Sequence, residues 1–184
     1  MLIVEYQTDS RLLEETLERV PGAVVHSEEA YSTEEGIRSL FWAEADDWDA
    51  FEAALADDST VADPKRLAET DARRLYGVYL TDGGRDNTTF LQWGDLDVVL
   101  LDAKATSEGW EARMRVPDRD TFARYRSCLR ERNIGFELEA LYRETRTDSG
   151  PASRLSDDQY ETLVAAYDAG YFDVPRTASQ TDIA

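Results

Sequence analysis

One histidine and one cysteine bound the side-chain chemistry open to this 184-residue chain. His26 falls in the strand-like run from Ala23 to Tyr31, where a structural or surface role is expected rather than that of a base. No Ser-His-Asp or Cys-His pair can be assembled around it. Cys128 shares a helical face with Phe122, Tyr125 and Leu129 and is expected in the core, although nearby arginines are of the kind that lower a thiol pKa. A lone cysteine also excludes a disulfide framework and a multi-cysteine metal site. Gly83-Gly84 follows a strand-like run but opens no phosphate-binding glycine motif, so a hairpin or loop turn is expected. The acidic pairs Asp46-Asp47 and Asp57-Asp58 could hold a cation; a helix cap and solvated charge are expected instead. Arginines 113, 115, 119, 124, 126, 130 and 132 are the only basic concentration. They could form an anion-binding or partner-binding face, with pairing to neighbouring Glu and Asp as the expected state. Trp42, Trp48, Trp93 and Trp110 could line an apolar pocket, with core packing expected for at least three. No catalytic residue, cofactor or metal ligand is assigned, and the chain is not expected to be an enzyme.

Charge carries more information. The chain holds 39 acidic residues against 20 basic ones, only two of them lysines (Lys65 and Lys104), for a net charge of −19. Such an acidic, lysine-poor surface suits a salt-saturated cytoplasm, where the Debye length falls to about 3 Å and like charges cease to repel over distance. In dilute salt this charge would argue against DNA binding, because phosphate contacts supply most non-specific affinity. In multimolar salt counterion release yields little, and the objection weakens. No run approaches the roughly 20 apolar residues that span a bilayer, and Met1-Leu-Ile-Val-Glu-Tyr6 lacks the features of a signal peptide. A cytoplasmic protein without membrane contact is expected.

The elements that must position these residues form a repeated pattern. Residues 23–31 and 36–43 read as strands around a turn, and 46–55 as a helix. Residues 96–106 and 110–116 read as strands around Ser107-Glu-Gly109, and 118–129 as the matching helix. Asp49-Ala-Phe51 aligns with Asp120-Thr-Phe122, and Gly36 with Gly109. A strand follows each helix, at about 61–70 and 135–142. A strand at 2–6 and a helix at about 10–20, with Leu12, Leu13, Leu17 and Val20 on one face, complete a β-α-β-β-α-β order. In the second half, 74–80 supplies the first strand and 87–94 a connector in place of the helix. The predicted fold class is α+β: tandem ferredoxin-like units in a domain over 1–144, with halves of about 1–71 and 72–144. A single continuous α+β sheet is the alternative. The polar Gly-Pro segment 145–154 reads as a linker.

Beyond it lies the sharpest signal. Ser156 and Gln159 form a capping box, and Leu155 and Tyr160 a hydrophobic staple. Tyr160, Leu163, Val164 and Tyr167 recur at helical spacing, Gly170 closes the helix, and Pro175 blocks continuation. Ser179 can cap a second helix, with Ile183 its first core contact. The pattern Leu155-Ser-x-x-Gln, Leu163-x-x-Ala-Tyr167 and Gly170-Tyr-Phe-x-x-Pro-Arg176 resembles the C-terminal helix-turn-helix of the haloarchaeal bacterio-opsin activator family. Residues 1–145 more weakly resemble the regulatory domain that precedes it.

The resemblance implies a non-enzymatic transcription regulator. An N-terminal domain would sense a small-molecule effector or oligomerise, with a homodimer expected, and a helix-turn-helix starting at residue 155 would meet DNA. Arg176, Ser179 and Gln180 are then the candidate phosphate contacts, at the N-terminus of the second helix. Family members continue into a base-reading third helix, which would lie beyond residue 184. Helix 156–169 is therefore expected to form and 177–184 to fray, so that residues 1–184 alone bind DNA weakly or not at all and DNA is a partner only of a completed domain. The competing reading is a module that binds a small ligand or a protein partner and no DNA.

Overall fold

The computed structural model describes residues 1–144, and Met1–Arg143 forms one compact unit. Its elements run β1 (Leu2–Thr8), α1 (Glu14–Arg19), β2 (Val24–Thr33), β3 (Gly36–Glu44), α2 (Trp48–Asp57), β4 (Val61–Glu69) and β5 (Arg74–Leu80). Then follow α3 (Asp82–Asp86), α4 (Phe90–Trp93), β6 (Val99–Thr106), β7 (Gly109–Val116), α5 (Arg119–Glu131) and β8 (Glu137–Arg143). The architecture is mixed α/β, with one large sheet and few helices. No helix of the described residues is long and apolar enough to cross a membrane.

All eight strands join one antiparallel sheet in the order β4-β5-β3-β2-β6-β7-β1-β8. The sheet is two quartets joined at β2 and β6, where only Val25↔Ala105 and His26↔Lys104 pair. Each quartet takes its third strand in from across the chain. β1 pairs with β7 and β8, while β5 pairs with β3 and β4. The strands of 1–71 therefore do not close a sheet by themselves, and neither do those of 72–144. Two connections pass between the quartets: residues 9–13 leading to α1, and residues 81–98 leading to β6.

The apolar clusters follow this exchange. Leu17, Val25, Phe41, Phe51, Leu55 and Tyr76 form one core, with α1 and α2 against the first quartet. Val4, Tyr6, Met114, Val116, Phe122 and Leu129 form the other, with α5 against the second. Burying a side chain of this size contributes roughly 1.5–3 kcal/mol, so each core needs strands from both halves of the chain. The two hairpins turn where expected. Gly36 and Gly109 take φ of +135° and +120°, and at Gly109 a Cβ would also stand 2.7 Å from the Thr8 carbonyl oxygen.

Three local expectations change. The helix predicted over about 10–20 starts only at Glu14, because Leu13 sits at φ 62°. Tertiary bonds take over its N-terminus: Leu13 N–H donates to Thr60 Oγ1 at 3.1 Å, and Thr16 N–H to Asp58 Oδ2 at 3.0 Å. Gly83-Gly84 lies in the short helix α3 rather than in a hairpin or loop turn. Gly84 packs so closely that a Cβ would stand 2.0 Å from the Thr60 carbonyl oxygen. Asp58, expected to be solvated, is only 3% exposed and accepts from both N–H and Oγ1 of Thr16 and of Thr60. Its neighbour Asp57 is exposed and pairs with Arg19, and Asp47 caps α2 by accepting from Ala50 N–H.

Candidate functional site

Arg176, Ser179 and Gln180 lie outside the described residues, as do the linker 145–154, the capped helix 156–169 and the segment 177–184. Within Met1–Arg143 one feature that could hold a ligand is an uncharged cavity of about 110 Å³ against the face shared by the two quartets. Its walls come from β1 (Tyr6, Thr8), β2 (Ser27), β7 (Trp110) and α5 (Tyr125). Both connections that pass between the quartets also border it, through Ser10 and Leu12 on one and Thr88 to Phe90 and Trp93 on the other. These two connections are tied together there. Ser10 Oγ donates to the Asn87 carbonyl at 2.6 Å, and Arg11 N–H donates to Asn87 Oδ1 at 3.3 Å. Trp110 Nε1 donates to the Leu12 carbonyl at 2.9 Å.

A chain of polar groups runs along one wall. Trp93 Nε1 donates to Thr89 Oγ1 at 3.1 Å, Thr89 Oγ1 lies 3.0 Å from the Tyr125 hydroxyl, and that hydroxyl lies 2.8 Å from the Tyr6 hydroxyl. Tyr6 in turn donates to Met114 Sδ at 3.2 Å. The indole can only donate, and with the Tyr6 proton on sulfur the order follows. Thr89 donates to Tyr125, and Tyr125 to Tyr6. Tyr6 also stacks on Phe136, with centroids 4.9 Å apart, and meets Tyr125 edge-on at 6.0 Å. Burial, with the second phenol beside it, pushes the Tyr6 pKa well above the usual tyrosine value, and burial raises that of Tyr125 too. Both stay neutral phenols at ordinary pH. None of the residues lining the cavity carries a charge, in a chain where 32% of residues do.

The remaining candidates are dispersed. His26 is partly exposed on β2, its Nε2 3.8 Å from Glu44 Oε1. Cys128 is half-buried against the second core, at its edge rather than inside it. Trp93 and Trp110 border the cavity, while Trp42 and Trp48 lie under the guanidinium groups of Arg73 and Arg74 at 4.4 and 4.5 Å. The α5 arginines depart from expectation. Arg119, Arg124, Arg126 and Arg130 are exposed and make no ion pair among the described residues. Arg126 instead stacks over Phe122 and Phe136. Thr89 and the two tyrosines escaped the sequence reading, since nothing local distinguishes a hydroxyl facing a cavity from one facing solvent.

Comparison with protein families accounts for nearly the whole chain. Residues 155–184 match the family described as "HTH DNA binding domain", and residues 3–155 match that described as "GAF and HTH_10 associated domain". No curated protein matches the chain. A sheet domain followed by a match to a helix-turn-helix DNA-binding domain points to a DNA-binding transcription regulator, and both families are regulatory or DNA-binding rather than enzymatic. The chain belongs to the bacterio-opsin activator-like family of regulators.

Proposed function

We propose that this regulator binds DNA through the helix-turn-helix that begins at residue 155, once that domain is complete, and that the sheet domain adjusts this binding according to what occupies its cavity. The observation that carries the reading is one chain holding a helix-turn-helix match directly after a domain with a ligand-sized cavity. The cavity borders β1 through Tyr6, β1 pairs with β8, and the chain passes from β8 into the C-terminal segment. An effector that favours one arrangement of β1 and the two connections would thereby change the start of that segment. Couplings of this kind amount to about 1–3 kcal/mol, or roughly 5–150-fold in affinity. The protein acts as a homodimer in the cytoplasm, matching paired DNA half-sites. Its sheet is best described as two ferredoxin-like units that have exchanged first strands, since β8-β1-β7-β6 and β4-β5-β3-β2 each follow the order 4-1-3-2.

Arg176, Ser179 and Gln180 make the phosphate contacts. Chromatin recovered with the protein expressed from its own locus tests this. Enrichment at discrete sites upstream of genes is expected, falling at least tenfold when all three residues are replaced by alanine. Uniform recovery along the chromosome, or unchanged enrichment in the triple variant, would refute the reading.

The acidic surface is an adaptation to molar salt. Between about 0.2 and 3 M KCl the melting temperature is expected to rise by several degrees, as screening relieves repulsion among the excess carboxylates. A melting temperature that stays flat or falls over that range would remove the basis for this assignment.

A further inference from the structure

We infer that the cavity selects a small uncharged molecule, about the size of a single ring, that donates a hydrogen bond to the Thr89–Tyr125–Tyr6 wall. The inference rests on the effector reading above and adds the chemistry of the effector. Size is the first constraint. The cavity holds about 110 Å³, somewhat less than the roughly 150 Å³ cavity that accommodates benzene in an engineered protein. It continues into a hollow of about 260 Å³ that shares Ser27, Ala30, Phe90, Trp93 and Leu100 with it, which leaves room for one substituent on a ring.

Charge is the second constraint. A charged ligand would have to shed its hydration against a lining that offers no counter-charge, which is a large penalty. Glu28 and Glu29 border the outer hollow, so an anion meets like charge before it reaches the cavity. The acidity of this protein thus stops at the cavity wall, and the wall itself is neutral phenol, hydroxyl and indole.

Hydrogen-bond polarity is the third. Trp93 N–H is spent on Thr89, Thr89 on Tyr125, Tyr125 on Tyr6 and Tyr6 on Met114. Every proton of the chain is used internally, and what its oxygens still offer is lone pairs. A ligand that brings a donor completes the set along this wall; one that brings only acceptors finds no free proton on it and must turn to hydroxyls such as Ser27 and Ser39 elsewhere in the lining. Trp93 and Trp110 supply flat faces for a ring and also report on its arrival.

Four probes of nearly equal shape separate these constraints: benzamide, acetophenone, benzoate and benzamidine. Binding of each to the full chain in molar KCl is followed by tryptophan fluorescence and by melting temperature. Saturable binding of benzamide is expected, with acetophenone at least threefold weaker and the two ions at least tenfold weaker. Thr89→Val should weaken benzamide at least threefold. Ala103→Leu, which fills the cavity from β6, should abolish saturation while leaving the far-ultraviolet circular dichroism unchanged. Either ion binding as tightly as benzamide overturns the inference, as does acetophenone binding equally, or benzamide failing to saturate or saturating the filled variant. Failure of the effector reading looks different: benzamide saturates the cavity as described, yet chromatin occupancy is the same for the filled variant as for the wild type throughout growth.

Discussion

Replacing Asp58 with alanine is expected to destabilise the sheet domain by about 3–4 kcal/mol, lowering the melting temperature by roughly 10 °C. One carboxylate here serves four donors. Its Oδ2 accepts from Thr16 N–H at 3.0 Å and Thr16 Oγ1 at 2.7 Å, and its Oδ1 accepts from Thr60 N–H at 3.0 Å and from Thr60 Oγ1. Thr16, Thr60 and Asp58 are all buried, so water cannot replace the lost acceptor without opening the structure. The bonds also hold the first turn of α1, whose N-terminus carries no side-chain cap of its own. α1 packs on α2, so its loosening reaches the first core. Asp58→Asn keeps one acceptor oxygen but turns the other position into a donor facing donors, and it should recover only part of the loss. Thermal unfolding of the two variants in the same molar KCl is the check. A shift of less than about 2 °C for Asp58→Ala would mean that the four bonds contribute little.

Asp58 also illustrates what the sequence could and could not reveal. Strand alternation and turn glycines located most elements: the predicted 74–80 coincides with β5, and Gly36 and Gly109 mark the two hairpins. Nothing local separates Asp58 from its neighbour Asp57, since a carboxylate's burial depends on which donors the fold brings to it. The start of α1 follows the same rule: Leu12 and Leu13 keep helical spacing, but the N–H groups of Leu13 and Thr16 donate to Thr60 and Asp58 instead. Strand partners are likewise tertiary information. β1 reads as the first strand of its own half, yet it lies between β7 and β8, because alternation fixes which face a strand buries and not which neighbour it joins. On α5, the residues one turn from Arg126 are Phe122 and Arg130, so its spacing gave it an aromatic ring rather than a carboxylate. The cavity was partly legible. Core packing was expected for at least three tryptophans, and Trp48, Trp93 and Trp110 do pack against the two cores, with Trp93 and Trp110 also bordering the cavity; the hydroxyl chain beside Trp93, by contrast, joins residues as distant as Tyr6 and Tyr125.

The second large effect concerns coupling between the cavity and DNA. Both connections that border the cavity pass between the quartets, and Ser10, Asn87, Leu12 and Trp110 bond them to one another and to β7. The cavity is therefore placed where occupancy would bias how the two quartets meet, and under the proposed function such a bias would pass through β8, which pairs with β1. Filling the cavity with protein atoms should fix that arrangement whatever the cell supplies. Ala103 is suited to this, since it is buried in β6, faces the cavity and pairs with Ala112, which also lines it.

The decisive measurement is chromatin occupancy of the wild type and of Ala103→Leu, followed at the same upstream sites through a growth curve at matched protein levels. Wild-type occupancy is expected to vary at least fivefold while that of the filled variant stays level. Two traces that rise and fall together would show that the cavity has no part in controlling DNA binding.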